Sequence, residues 1–371
     1  MKKISKFRIH PWILITLALF IIISLITINS AQKLIPNNNY LIKQLIWYII
    51  GFLFSFIIIK LGNTYIYKNI NIFYIIGIIS LIGLLLFAPN INSAKCWYII
   101  PAIGTIQPSE FMKVILIITL AVIIKKFNTD YPNPTIMEEF KFLIKAGIII
   151  IIPSVLTFLQ PDTGVVLIYL LISIIMLFIS GIRYRWFILL FSILIVILLF
   201  ILGVYFLNTD LFIKIFGTDF FLRIDRLLDW SNSSGYQLQN GIAAIGSGGL
   251  FGNGINNTPI YFPEPQTDFI FAVYANNFGF IGSCLLIILL LIFDINLIYL
   301  AKRTNNLTNK YVIAGIVGML IYQQFQNIGM TFGLIPITGI TLPFISYGGS
   351  SLLSYMIIIG IICNISNETL K

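Results

Sequence analysis

Apolar residues in this chain come in long blocks separated by short polar breaks. Ten blocks stand out, at roughly 11–30, 41–59, 70–88, 107–124, 143–159, 164–181, 186–206, 268–299, 311–335 and 349–366. Several reach the ~20 consecutive residues that a helix needs to cross the hydrocarbon core. The pattern predicts an all-α polytopic membrane protein of about ten transmembrane helices, laid out as a single domain over residues 1–371. The first block, Pro11 to Ser30, follows Lys2, Lys3, Lys6 and Arg8 as the core of a signal peptide would. It is too long for one and reads as the first helix.

The breaks are short, with one exception. Leu207 to Thr267 forms a long loop, roughly 207–267, between the seventh and eighth helices. Phe, Trp, Tyr and Leu run through it, so it reads as structured, and long structured loops are usually functional. Within it, Gly246 to Gly254 holds glycines dense enough for the backbone to turn sharply and approach a ligand or another helix closely. The run lacks the lysine of a Walker loop and is no nucleotide signature. Ile242 to Ile255 is too short and too glycine-rich to span. The longest connector on the opposite side is expected over Lys125 to Phe142.

Composition removes the soluble alternatives. Hydrophobic residues make up 58% and charged residues 10%, against about a quarter charged in soluble chains. The net charge of +10 suggests a nucleic-acid binder until its distribution is read. With the amino terminus in the cytoplasm, only Lys33, Lys43, Lys95, Lys214, Arg223 and Arg226 fall outside, and Lys113 lies within a span. That asymmetry is the positive-inside rule. It needs no nucleic acid, and it puts both termini in the cytoplasm. Cys96, Cys284 and Cys363 are scattered and favour neither zinc nor disulfides. The single histidine, His10, sits at the foot of the first helix, so proton chemistry falls to carboxylates, lysine or tyrosine.

Ionisable groups at the edge of a span are costly and therefore mark function. Four clusters qualify. In Gln107-Pro108-Ser109-Glu110, Pro108 and Glu110 suit the first turn of a helix, and Lys113 lies one turn on, where it can pair with Glu110. That pair either fastens the helix or joins the chemistry, and a half-buried Lys113 facing outward would suit a phosphate. In Gln160-Pro161-Asp162-Thr163-Gly164, Asp162 is placed as a helix cap. In Pro263-Glu264-Pro265-Gln266-Thr267-Asp268, Asp268 begins an apolar helix, and partial desolvation would make it a better proton acceptor. Capping and catalysis are compatible there. The stretch Leu342 to Ser351, with Ser346 and Ser350, suits close helix packing or a headgroup cradle. All four clusters fall on the outer face.

In order, these elements resemble the shape, elongation, division and sporulation family. The likeness runs through Ala94–Tyr98 and Gln107–Lys113, Gln160–Gly164, Gly235-Tyr236-Gln237, Ala244–Leu250, Glu264 with Thr267–Ala272, and Leu334–Gly339 with Leu342–Ser351. The form Trp97–Pro101 is closer to the RodA branch of Gram-positive bacteria than to the FtsW branch. The resemblance implies a peptidoglycan glycosyltransferase that polymerises lipid II, through its undecaprenyl-linked sugars, beside a class B penicillin-binding protein. It also implies Asp268 as the catalytic carboxylate. Gln107, Ser109, Glu110, Lys113, Asp162, Tyr236, Gln237, Glu264, Ser346 and Ser350 would bind substrate or support the site. Lys113, Arg223, Arg226 or a divalent cation, Mg or Mn, would supply positive charge. Two departures stand out: Asn276-Asn277 replaces a usual glutamate pair, and Cys96 a usual serine or arginine. A flippase for the same lipid, or a scaffold for the penicillin-binding protein, are the competing expectations.

Overall fold

The computed structural model describes residues 8–35, 39–90, 94–100, 104–218, 220–222, 224 and 235–370. Every apolar block is a helix. In chain order the helices begin with α1 (Pro11–Gln32), α2 (Tyr40–Leu61), the short α3 (Asn63–Lys68) and α4 (Ile70–Phe87). A hairpin follows, β1 (Tyr98–Ile100) paired antiparallel with β2 (Gly104–Ile106). Then come α5 (Pro108–Asp130), α6 (Ile136–Leu159), α7 (Thr163–Ile179) and α8 (Arg185–Leu207). The long loop carries α9 (Thr209–Phe216) and α10 (Tyr236–Ser247), and α11 (Ile270–Arg303), α12 (Leu307–Thr331) and α13 (Gly349–Thr369) complete the order.

Seven of these, α1, α2, α4, α6, α8, α11 and α13, are long and apolar enough to cross a membrane. The chain is a multi-pass membrane protein. Helix α7 is apolar but shorter, whereas α5 and α12 are long and carry buried polar residues such as Lys113, Gln323 and Asn327. The connector expected over Lys125 to Phe142 shrinks to residues 131–135, because α5 and α6 both continue past their apolar blocks. Backbone hydrogen bonds extend a helix into water without apolar side chains, and a capping box fixes the restart. The Thr135 hydroxyl accepts the Glu138 N–H at 3.4 Å, and the Glu138 carboxylate accepts the Thr135 N–H at 2.7 Å.

Helix α13 is the most buried of these seven. Of its most apolar window 89% is buried, although its mean hydropathy is only 1.7. It packs along α2 through small residues. A Cβ on Gly51 would run into Met356, one on Gly360 into Ile58, and the Ser55 hydroxyl donates to the Met356 carbonyl. Helix α8 is the reverse, with a mean hydropathy of 3.4 and 6% burial. It is tied down at its start, where Trp186 Nε1 donates to Glu139 Oε2 at 2.7 Å and Arg183 stands 3.6 Å from the same carboxylate.

The glycine-rich run closes against α11. Gly279, at φ +67°, breaks that helix. The strap takes up the backbone groups the break exposes. Asn253 and Gly254 N–H groups donate to the carbonyls of Asn276 and Asn277, and the N–H groups of Phe280 and Ile281 donate to Gly249 and Leu250. A Cβ at Gly252 or Gly279 would strike the opposing backbone.

Candidate active site

A cavity of about 1000 Å³ opens at one end of the bundle. Its rim is built where α2, α5, α7, α11 and α13 begin, so five helix N-termini, each carrying roughly half a positive charge, face one space. Four carboxylates line it: Glu110, Asp162, Glu264 and Asp268.

Pro108 starts α5 and puts Glu110 in its first turn. Glu110 is 7% exposed, and its Oε2 stands 2.6 Å from the ammonium of Lys113. Lys113 is fully buried and lies 5.5 Å from the Tyr355 ring centroid. It does not line the cavity, so the expectation of an outward-facing lysine for a phosphate is corrected: its charge is spent on Glu110. Either charge buried alone would keep its desolvation penalty without the partner's attraction, which is why the two are found together.

Asp162 caps α7, its Oδ1 accepting the Val165 N–H at 3.2 Å. Its other oxygen accepts from Gln107 Nε2 at 2.7 Å and from the Ser109 hydroxyl at 3.4 Å. Burial pushes its carboxyl up to about 6, against the opposing pull of the Val165 N–H. Ser350 closes this wall by accepting the Gln107 N–H at 2.8 Å. Cys96 is buried in the same wall and donates to the Gln160 carbonyl at 2.9 Å.

Asp268 stands two residues before α11, half-buried against the cavity. Three ties hold the backbone of Gln266, Thr267 and Asp268. Asn327 Nδ2 donates to the Asp268 carbonyl at 2.9 Å and to the Ile340 carbonyl at 2.8 Å. The Ser346 hydroxyl donates to the Thr267 carbonyl at 2.7 Å, and the Tyr347 N–H to Gln266 at 2.8 Å. The Leu342–Ser351 stretch therefore clamps the acidic turn, and Ser346 works from behind it. Burial, and next the charge of Glu264, raise the Asp268 carboxyl to about 7, with Thr267 partly opposing. Glu264 is exposed, sits at φ +52°, and accepts from Thr267 Oγ1 at 2.9 Å and Gln266 Nε2 at 3.0 Å.

Gln107, Glu110, Asp162, Glu264, Asp268 and Ser350 thus meet in one space. Gln237 lies outside it and ties α10 to the acidic turn through the Pro263 carbonyl at 3.1 Å. Tyr236 is 61% exposed and away from the cavity. Arg223 and Arg226 lie outside the described residues. Asn276 and Asn277, at the departure from the family pattern, are buried in the strap. Asn276 Nδ2 donates to the Ala244 carbonyl and Ser247, and Asn277 Oδ1 accepts from Ser30 and Thr258.

Several lining residues went unrecognised in the sequence, among them Lys43, Trp47 and Gln323. Lys43 was legible only as a charge on the outer side, and Gln323 as a polar residue within a span. Asp294, 2% exposed inside α11 with Gln324 at 3.4 Å, was likewise visible as an intramembrane carboxylate.

Among the described residues no group of three or more His, Cys, Asp or Glu side chains could cage a metal. A hard divalent cation shared with substrate phosphates needs only one or two carboxylates, and Glu264 and Asp268 both line the cavity.

Residues 6–371 match the family of cell-cycle proteins that comprises FtsW, RodA and SpoVE. The chain is 32% identical to the probable peptidoglycan glycosyltransferase FtsW of Coxiella burnetii, with 99% of each chain covered. Its fold is similar to a solved chain described under structural coordination of polymerization and crosslinking by a peptidoglycan synthase complex. That likeness has a TM-score of 0.79 at 24% identity, over 98% of this chain and 99% of the other. The rod shape determining protein RodA of Thermus thermophilus shares the fold at a TM-score of 0.71 and 23% identity, covering 99% of each chain.

Proposed function

The chain belongs to the FtsW, RodA and SpoVE family of cell-cycle proteins, and from that premise we propose that it polymerises lipid II as a peptidoglycan glycosyltransferase. On this reading one transmembrane domain crosses the bacterial cytoplasmic membrane ten times with both termini inside. The cavity then opens outward, as the basic loops favour.

The observation that carries the reading is Asp268, a half-buried carboxylate on the cavity wall that neither ion pair among the described residues engages. The 4-hydroxyl of one lipid-linked disaccharide attacks the anomeric carbon of another. The new C–O bond forms as the bond to the diphosphate breaks, and the diphosphate leaves with the electron pair. Inversion of an α-linked diphosphate gives the β-1,4 product. Asp268 takes the hydroxyl proton, and its raised proton affinity suits it to do so near neutral pH. Glu264, beside it, would hold a divalent cation (Mg or Mn), which when bound supplies positive charge to the leaving diphosphate. Apolar grooves between helices take the undecaprenyl tails.

The partner in this proposal is a class B penicillin-binding protein that cross-links the strands. The Trp97–Pro101 form supports a role in elongation. The FtsW name of the Coxiella relative favours division as a second reading.

The test is polymerisation by the purified full chain, supplied with lipid II in the presence and absence of that partner. Glycan chains from the wild type support the reading. Lipid II moved across vesicles without polymer would replace it with a flippase, and partner binding with neither activity would leave a scaffold.

A further inference from the structure

The cavity holds four carboxylates, yet the reaction proposed for it brings in a diphosphate. Among the described residues Lys43 is the only Lys or Arg that lines it. Lys43 is exposed and takes no part in the two ion pairs of the described residues, Glu110–Lys113 and Glu139–Arg183. Its ammonium lies 5.8 Å from the ring centroid of Tyr40, and that ring meets Tyr347 edge-on at 4.8 Å, beside the start of α13. The ammonium therefore stands at the cavity mouth, outside both ion pairs of the described residues.

What lies beneath Lys43 specifies the ligand further. Ile46, Trp47 and Ile50 also line the cavity, and with Lys43 they occupy positions i, i+3, i+4 and i+7 of α2, a single helical face. At 1.5 Å rise per residue, Ile50 sits about 10 Å farther along the helix than Lys43. Trp47 is 5% exposed and packs on Gly349, where a Cβ would collide with its ring. The face thus presents one cation at the helix start and an aromatic and aliphatic strip below it. Val165 and Ile168 of α7 line the same cavity. A ligand matched to it carries an anionic group joined directly to a hydrocarbon chain.

We propose that this face of α2 is the subsite for the diphosphate and first isoprene units of the donor lipid, with the Lys43 ammonium on the diphosphate oxygens. The inference rests on the polymerase reading. An ammonium is a compact point charge with three donors, and here it meets charge that grows as the anomeric bond breaks. Ile46, Trp47 and Ile50 fix the chain so that this charge arrives at the correct depth.

Equilibrium binding of geranylgeranyl diphosphate and of geranylgeraniol to the full chain in nanodiscs tests the subsite without any turnover. The wild type should bind the diphosphate at least about tenfold tighter than the alcohol. Lys43→Gln should erase that preference while leaving alcohol binding and the melting temperature unchanged, because Lys43 is exposed and in neither ion pair of the described residues. Lys43→Arg should keep it. In polymerisation, Lys43→Gln should lower kcat/KM by about 10²-fold. A Lys43→Gln protein that still prefers the diphosphate overturns the subsite, even if the wild type makes glycan. A wild type that shows the lysine-dependent preference but makes no glycan overturns the polymerase reading and upholds the subsite.

Discussion

Two walls of the same cavity treat their carboxylates differently. On the α5 wall, Glu110 is almost fully buried and its charge is taken up at 2.6 Å by Lys113, which has no other exit. On the α11 wall, Asp268 and Glu264 face the same space outside both ion pairs of the described residues, and the charge of Glu264 adds to burial in making Asp268 harder to ionise. The residue type is nearly the same, yet one site holds a charge in place and the other keeps a proton up to about pH 7. Both carboxylates are shielded from water, and the difference between them is the ammonium that only Glu110 has beside it. A carboxylate with a dedicated ammonium is a fastener, and one beside a second carboxylate is ready for proton transfer.

The comparison breaks most sharply at Asp268. Asp268→Asn keeps the shape and removes proton acceptance, so polymerisation should fall about 10²–10⁴-fold. Folding should hardly notice. Because the folded protein raises this carboxyl from 3.8 to about 7, ionising it works against the fold. Its cost to stability appears as pH rises from about 4 through about 7. Thermal melting above pH 7 should therefore be equal or higher in Asp268→Asn. An active variant, measured as glycan chain product from lipid II, would sink the assignment.

On the opposite wall the expected effect is on stability. Glu110→Gln or Lys113→Met leaves a buried charge without its partner and should cost about 3–5 kcal/mol. The double variant should recover part of that loss in thermal melts or yield. Two stable but inactive single variants with no recovery in the double would move this pair from fastener to chemistry.

The smallest effects are in the pH profile. Activity should be full above about pH 7 and fall as pH drops through that value, because the base must be deprotonated. Glu264→Gln removes the lesser of the two causes that raise Asp268, so the acidic limb should move to lower pH by a fraction of a unit. A limb that stays in place, in kcat/KM against pH, would mean that Glu264 does not tune Asp268.

Much of the fold was legible because lipid makes the rules simple. Each apolar block had to be a helix to satisfy its own backbone, and helices stand at all ten. Block ends were less legible: α5 and α6 outrun their apolar stretches because water also tolerates a capped helix. The site was readable where chemistry sits at a helix start, as with Glu110, Asp162 and Asp268. It was opaque where the signal is rotational. Lys43 reads in the sequence as one more loop-side charge, and only the packing of α2 against α13 turns it to the cavity. Ser346 and Gln237 were legible as polar, but their place behind the wall depends on contacts between segments distant in the chain.

The break at Gly279 also bears on how the chain is built. The strap, Gly248 to Gly254, is synthesised before the helix it serves, and neither half can enter hydrocarbon with its amides and carbonyls unmatched. A ribosome delivering this chain to the insertion machinery therefore cannot release the outer turns of α11 into lipid as an ordinary hairpin leg. The strap has to wait at the interface until Asn276 to Ile281 arrives, and the two must then partition together. The start of α11 is thus joined to the strap while the chain is being built, and the clamp from Leu342–Ser351 closes on the Asp268 turn last.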